Sequence, residues 1–157
     1  MPKVLTVDPE RCTGCRICEL VCSVNKEGVS NPMHSRIHTI KWEMEGFYAP
    51  MFCRQCEDPL CAAVCPVNAV SRDDYYGRIT VDDELCIGCR ACISACSFGG
   101  VGYNHELHKT MRCDLCDGDP VCVQFCETKA LRFVDSETVQ INKQRAAAEK
   151  LYHATAH

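Results

Sequence analysis

Apolar residues along this chain occur in short runs, and none approaches the roughly 18 residues needed to cross a bilayer. Four runs rich in β-branched or aromatic residues lie near Gly or Pro and are typical of short strands. The predicted strands are residues 4–7, 37–42, 79–81 and 131–134. Residues 139–156 are helix-prone and predict a C-terminal helix that packs on the body or on a partner. The pattern therefore favours an α+β fold built from short elements.

Cysteine changes this picture, because 16 of the 157 residues are cysteines. They form four groups of four, and every group ends in Cys-x3-Cys. The first and third groups read C-x2-C-x2-C-x3-C, whereas the second and fourth have x4 and x5 before the third cysteine. The groups are Cys12, Cys15, Cys18 and Cys22; Cys53, Cys56, Cys61 and Cys65; Cys86, Cys89, Cys92 and Cys96; and Cys113, Cys116, Cys122 and Cys126.

The residues around the cysteines indicate an internal duplication. The first group matches the third at one constant offset, and the second matches the fourth around an Asp-Pro pair. Two copies of one unit therefore follow each other, up to about residue 70 and from about 78 to 134. The matching pairs include Thr6 with Thr80, Gly14 with Gly88, Arg16 with Arg90, and Pro59 with Pro120.

The cysteine spacing predicts iron–sulfur clusters. Structural zinc usually takes two ligand pairs that are a dozen or more residues apart. A compact C-x2-C-x2-C instead provides three ligands of one cubane, and the cysteine after x3 provides the fourth ligand of another. Four such groups predict four [4Fe–4S] clusters. The alternatives are three such clusters with one degraded or [3Fe–4S] site, zinc sites, and disulfides. The x3-C segments are also expected to place the third and fourth cysteines on successive turns of a short helix.

Composition limits the cellular compartments and the partners that are compatible with this chain. Because the N-terminus has no apolar export segment and no twin arginine, we expect a cytoplasmic protein, in which disulfides would be out of place. The formal charge is −4, and each oxidised cluster with four thiolates adds about −2. Nucleic acid is therefore not an expected partner. No dinucleotide, nucleotide or nucleophile motif is present, so we expect no catalytic residues in this chain.

Three segments carry a family resemblance: Cys-Arg-Gln-Cys-Glu-Asp-Pro-Leu-Cys at 53–61, Val-Cys-Pro at 64–66 and Arg-Cys-Asp-Leu-Cys at 112–116. With them, the chain from 4 to about 134 resembles the four-cluster ferredoxin-like subunits of molybdenum and tungsten oxidoreductases. That family includes electron-transfer subunits of dimethyl sulfoxide reductase, formate dehydrogenase and nitrate reductase. The short gaps between groups look most like the small subunits of tungsten enzymes of the aldehyde oxidoreductase and benzoyl-CoA reductase type, or of formate-linked hydrogenases.

The residues alone leave the pairing of the groups open, either first with second and third with fourth, or nested. The resemblance implies nesting. The implied ligand sets are Cys12, Cys15, Cys18 and Cys126; Cys22, Cys113, Cys116 and Cys122; Cys53, Cys56, Cys61 and Cys96; and Cys65, Cys86, Cys89 and Cys92. The implied fold is a tandem of two bacterial-ferredoxin-like lobes, formed by residues 1–49 plus 101–135 and by an inserted segment 50–100, with a helical appendage at 136–157.

The resemblance also implies a function. We expect a non-catalytic subunit of an anaerobic oxidoreductase that relays single electrons between a catalytic subunit, containing tungsten or molybdenum, and a flavin subunit or a ferredoxin. The alternatives are a free-standing polyferredoxin, a subunit of a hydrogenase or formate dehydrogenase complex, and an assembly subunit whose clusters mainly hold the fold.

Other residue types are less specific. Arg16, Arg54, Arg90 and Arg112 stand next to or between cysteines, where a positive charge would raise a cluster's reduction potential, pair with a partner, or only be solvated. The histidines at 34, 38, 105 and 108 are expected at the surface. Trp42, Phe47 and Tyr48 form an apolar patch for which core packing of a strand pair is favoured over a partner surface.

Overall fold

A computed structural model describes residues 3–73 and 75–155. The described part contains short strands, short helices and one long C-terminal helix. The strands are β1 (Lys3–Val7), β2 (Ile37–Trp42), β3 (Phe47–Phe52), β4 (Val70–Asp73), β5 (Arg78–Val81), β6 (Val101–Asn104), β7 (Lys109–Arg112) and β8 (Leu131–Asp135). The helices are α1 (Ile17–Glu27), α2 (Leu60–Ala63), α3 (Ala91–Ala95), α4 (Val121–Gln124) and α5 (Ser136–Thr155).

All four predicted strands are present, as β1, β2, β5 and β8, and the mixed fold is confirmed at this level. Strands β3, β4, β6 and β7 were not predicted. Pro50 interrupts β3, and Gly102 interrupts β6, so neither segment shows the expected composition. Each of these strands is paired with a neighbour in the chain, and such pairing overrides weak local preference.

The strands form four separate antiparallel pairs. Hairpins join β2 to β3, β4 to β5, and β6 to β7, whereas β1 pairs with β8 from the far end of the chain. In that long-range pair Val7 lies opposite Leu131. By the duplication, β1 corresponds to β5 and β8 to β4, so each of these pairs contains one strand from each copy. The two copies are therefore interleaved. The expected boundary between residues 49 and 50 falls within β3.

Cysteines contribute to both hydrophobic cores. Cys113 packs against both of them and lies between them. Around the long-range strand pair the first core consists of Leu5, Cys22, Ile37, Phe52, Leu115, Cys122 and Leu131. Around the β4–β5 hairpin the second core consists of Cys53, Cys61, Val70, Ile79, Cys92 and Val101.

Two peripheral segments differ from expectation. Helix α5 begins at Ser136, three residues before the predicted start, and packs beside β8; Ala156 lies outside the described residues. Trp42 and Phe47 face each other across the β2–β3 hairpin with ring centroids 5.5 Å apart. Their side chains are nevertheless 47% and 44% exposed, so the expectation of core packing is wrong for both.

Candidate metal centres

Three cavities are each lined by four cysteines. Their other lining residues are mostly apolar, glycine or threonine, and one of the three is also lined by Lys26, Arg36 and Asp114. Cys12, Cys15, Cys18 and Cys126 line the first; Cys22, Cys113, Cys116 and Cys122 the second; and Cys65, Cys86, Cys89 and Cys92 the third. Each set consists of three cysteines from one group and the last cysteine of another group. These are three of the four sets that the resemblance implies.

The remaining four cysteines also lie in one region of the molecule. Cys53, Cys61 and Cys96 belong to or pack against the second core. Cys56 lies three residues after Cys53, and burial, followed by the charges of Cys61 and Cys56, raises the pKa of Cys53. The structure therefore brings these four together.

The spacing of the sulfurs fits a group larger than one metal ion. Among residues 3–73 and 75–155, no three His, Cys, Asp or Glu side chains converge closely enough to hold a single ion. Zinc–sulfur bonds of about 2.3 Å would draw four thiolates around one point. Sulfurs around a cavity suit a cubane, whose iron and sulfide atoms occupy the centre while thiolates bind the corners.

Burial disfavours the negatively charged thiolate form of several of these cysteines, so a thiolate there needs a positive charge close by. Burial raises the pKa of Cys18 to about 11 and that of Cys113 to about 12. The pKa of Cys122 is raised further, by burial and then by its neighbours Cys113 and Cys22. Such thiols would stay protonated at neutral pH unless iron replaced the proton. The donor chemistry and its surroundings therefore fit iron–sulfur clusters.

In three of the four groups the fourth cysteine lies just after the end of a short helix. Helix α1 contains both Cys18 and Cys22, as expected. The other three helices are shorter than expected and stop before the fourth cysteine. In α2 the cause is Pro66, because the residue before a proline disfavours the helical region. The successive-turn expectation is therefore correct for α1 only.

Each of these four sulfurs accepts a backbone N–H. Ala69, Gly100 and Leu131 donate to Cys65, Cys96 and Cys126 over 3.3, 3.4 and 3.4 Å. In the first group Arg36, at the entry to β2, donates to Cys22 over 3.4 Å. These bonds stabilise negative charge on sulfur. For Cys65 and Cys126 burial alone would raise the pKa, but the backbone N–H groups outweigh it and the pKa is lowered.

A small residue lies four positions after Cys65, Cys96 and Cys126, where the backbone packs closely around the sulfur. Ala69 and Ala130 are each 2% exposed. A Cβ at Gly100 would lie 2.6 Å from the Cα of Cys53, so only glycine fits. The duplicated Gly14 and Gly88 both adopt φ +67°, within the loops that hold three cysteines. The sequence showed these glycines and alanines without showing what they touch.

Hydroxyl groups near the sulfurs were missed by sequence reasoning. Thr39 Oγ1 lies 3.6 Å from Cys18 Sγ, and Thr110 Oγ1 lies 3.7 Å from Cys86 Sγ. Both threonines are buried. Because an iron-bound thiolate only accepts, the hydroxyls donate to it. Strand pairing delivers these side chains from 21 and 24 residues away, so no local signal marks them.

The four arginines next to the cysteines have different surroundings in the structure. Arg16 pairs with the buried Glu19 at 2.9 Å, and Arg90 stacks on Tyr103 at 3.9 Å. Arg54 is exposed. Only Arg112 of these four is buried, at 3% exposure, and its Nη1 donates to Cys61 Sγ over 3.1 Å.

The histidines differ in exposure. His105 and His108 are exposed, as expected. His34 and His38 are partly buried, and His34 Nε2 lies 3.9 Å from Glu106. Within the described ranges none of them joins a group of potential metal ligands.

Comparison with protein families identifies the chain. The 4Fe-4S dicluster domain family matches residues 44–136, and a 4Fe-4S binding domain matches residues 4–28. The chain belongs to the 4Fe-4S dicluster domain family. With sixteen cysteines it carries four [4Fe–4S] clusters. The prediction made from the cysteine spacing is thereby confirmed.

Curated relatives show the same family in multisubunit enzymes. The polyferredoxin-like subunit of aliphatic sulfonate oxidoreductase from Pyrococcus furiosus is 38% identical over 122 residues, covering 78% of this chain and 70% of that protein. The B subunit of anaerobic dimethyl sulfoxide reductase from Escherichia coli is 36% identical, covering 81% of this chain and 70% of that protein. The resemblance to iron–sulfur subunits of oxidoreductases is therefore confirmed, and this dicluster protein functions in electron transfer.

A solved structure has a similar fold. One polypeptide of the active site complex BamBC of benzoyl coenzyme A reductase, as isolated, aligns with a TM-score of 0.52 and 22% identity, covering 98% of this chain and 90% of that one. In the described part of this dicluster protein, no helix has the length and apolarity to span a membrane.

Proposed function

We propose that this chain is the wiring subunit of a larger oxidoreductase. It relays single electrons between a catalytic subunit, containing tungsten or molybdenum, and a flavin subunit or a ferredoxin in the cytoplasm. The relatives named above are subunits of oxidoreductases, which supports a catalytic partner. Each cluster supplies reversible one-electron chemistry when bound, and the chain supplies ligands, spacing and charge.

The ligand sets of this proposal are the nested ones. The observation that carries them is that three cavities are each lined by four cysteines in nested combination. The fourth set is then Cys53, Cys56, Cys61 and Cys96. Interleaving of the two copies through the β1–β8 pair supports the corresponding two lobes, 1–49 plus 101–135 and 50–100, with 136–157 appended.

These sets form a line. Helix α1 carries Cys18 of the first set and Cys22 of the second. Cys113 of the second set packs against the core that contains Cys53 of the third. Cys61 lies in α2 and Cys65 follows the end of that helix, so this segment connects the third set to the fourth. An electron therefore passes through the sets in this order or in reverse.

The two ends of the line are exposed. Of the sixteen cysteines only Cys15 and Cys89 are exposed, and they belong to the first and fourth sets. Apolar side chains surround both: Phe125 is 56% exposed beside the first cavity, and Ile87 is 64% exposed beside the fourth set. Exposed apolar residues grouped at a redox site are typical of a surface that a partner covers. Electrons therefore enter and leave at Cys15 and Cys89.

Anaerobic purification of the tagged chain from its own cells tests this proposal. We expect a large subunit with tungsten or molybdenum to copurify, and its substrate to reduce the clusters as seen by electron paramagnetic resonance. A fully active monomer would instead identify a free polyferredoxin, and a nickel subunit would identify a hydrogenase complex. Clusters that stay oxidised during turnover would contradict the relay.

Surface variants test the two ends. Phe125→Glu and Ile87→Glu are each expected to slow electron exchange with one partner at least tenfold, without changing the cluster spectra. Met44→Glu is the matched control, because Met44 is 94% exposed in the β2–β3 turn and lines none of the three cysteine cavities. Unchanged exchange rates in both end variants would contradict the assigned ends.

A further inference from the structure

Arg112 is a buried cation beside one of the proposed clusters. It ends strand β7, directly before Cys113, and is 3% exposed. Its Nη1 donates to Cys61 Sγ over 3.1 Å, while Nε and Nη2 are buried and have no hydrogen-bond partner among the described residues. A buried guanidinium without a counter-charge is costly. The burial of Arg112 therefore indicates negative charge close to Cys61.

The nearby carboxylates do not supply that charge. Asp83, Asp114 and Asp117 line a cavity of about 220 Å³ next to Arg112. Asp114 instead pairs with Lys26 at 2.7 Å, and Asp117 pairs with Arg78. Within the described residues no carboxylate reaches ion-pair distance of Arg112. The sulfur of Cys61 is its one partner there.

The duplication provides an internal comparison. Phe52 holds the position equivalent to Arg112, since each ends the second strand of a hairpin and precedes the first cysteine of its group. Phe52 is 2% exposed and belongs to the core that contains Cys122, the counterpart of Cys61. One inner cysteine set therefore has a buried charge where the other has a phenyl ring.

We propose that Arg112 raises the reduction potential of the cluster at the Cys61 set above that of the cluster at the Cys122 set. Within the relay, an electron then resides preferentially at the Cys61 set. This rests on the ligand sets proposed above. One electron arrives from a neighbouring set, no bond or proton is exchanged, and the local charge goes from about −2 to about −3. A fixed positive charge favours the more negative state. Phe52 offers no such stabilisation, and the two cations that line the Cys122 cavity, Lys26 and Arg36, are paired with Asp114 and Glu27.

Potentiometric titration of the anaerobic, iron-loaded chain, followed by electron paramagnetic resonance, tests this proposal. Arg112→Met removes the charge and keeps the length, so one midpoint potential should fall while the other three stay constant. Arg112→Lys should restore most of the loss. Arg54→Gln is the matched control, because Arg54 is exposed just after Cys53 and should shift the potentials little. Four unchanged potentials in Arg112→Met, or four equal shifts, would overturn the proposal.

A second measurement does not depend on the Arg112 variants folding. Cys61→Ser and Cys122→Ser each mark one inner cluster, and the cluster marked by Cys61→Ser should have the higher wild-type potential. The reverse order would overturn the proposal. Cys96→Ser separates this failure from failure of the ligand sets. If Cys61→Ser and Cys96→Ser alter different clusters, the sets are wrong; if they alter the same cluster, only the role of Arg112 is in question.

Discussion

The side-chain amide of Gln55 donates to the carbonyl oxygen of Cys113 over 2.6 Å and thereby joins the second cysteine group to the fourth. The side-chain carbonyl oxygen of Gln55, Oε1, accepts the N–H of Ile79 over 2.6 Å. Ile79 is fully buried. One amide thus satisfies two main-chain groups at the junction between the inner cysteine sets.

Gln55→Ala should destabilise this junction. It leaves a buried N–H and a carbonyl without partners, which costs about 1–3 kcal/mol in the free energy of unfolding. Gln124→Ala is the control, since Gln124 is exposed and its side chain donates to the exposed Asp119. Thermal unfolding of the iron-loaded chain should show a lower midpoint for Gln55→Ala alone. Equal midpoints for the two variants would show that Gln55 is not important for the junction.

Gly100→Ala should disturb the backbone at Cys53. The added Cβ would lie 2.6 Å from Cys53 Cα, and neither atom is on a flexible side chain, so the cost is about 1–3 kcal/mol. Gly102→Ala is a matched control two residues away, where the nearest atom is Cε of the flexible Met111 at 3.1 Å. Unfolding midpoints should separate the two variants. A midpoint for Gly100→Ala as high as that for Gly102→Ala would contradict this contact.

Thr110→Val should lower one cluster potential. The substitution removes the hydroxyl 3.7 Å from Cys86 Sγ and keeps the shape of the side chain. Loss of a hydrogen bond to sulfur favours the oxidised state, and the shift should be on the order of tens of millivolts. Thr110→Ser keeps the hydroxyl and should keep the potential. A redox titration in which Val and Ser behave alike would show that the hydroxyl does not act on the cluster.

Removal of iron should unfold the chain. Cysteines form part of both cores, with Cys22 and Cys122 in the first and Cys53, Cys61 and Cys92 in the second. Without iron the cavities lined by cysteines lose their contents, so packing is lost. Circular dichroism after anaerobic chelation should show loss of cooperative unfolding, and iron with sulfide should restore it. Native-like cooperative unfolding after chelation would contradict a cluster-dependent core.

The sequence carries the cysteine groups, the duplication and four of the strands, because these depend on local spacing and composition. The role of Arg112 cannot be predicted from the sequence, because Arg16, Arg54 and Arg90 also lie next to cysteines. Only the position of Arg112 at the end of strand β7 directs its side chain to Cys61. The roles of Thr39 and Gln55 cannot be predicted from the sequence either, because they depend on contacts with residues distant in the chain. The ends of α3 and α4 likewise depend on the sulfurs of Cys96 and Cys126 accepting the N–H groups of Gly100 and Leu131, which helix periodicity does not report.

Nested ligand pairing is the central claim, and Mössbauer spectroscopy of two double variants tests it most directly. In Cys15→Ala/Cys126→Ala both cysteines line one cavity, so three [4Fe–4S] clusters should remain unaltered. In Cys15→Ala/Cys65→Ala the cysteines line different cavities, so only two should remain unaltered. If the first double variant keeps two unaltered clusters and the second keeps three, neighbouring groups pair with each other and the nested account is wrong.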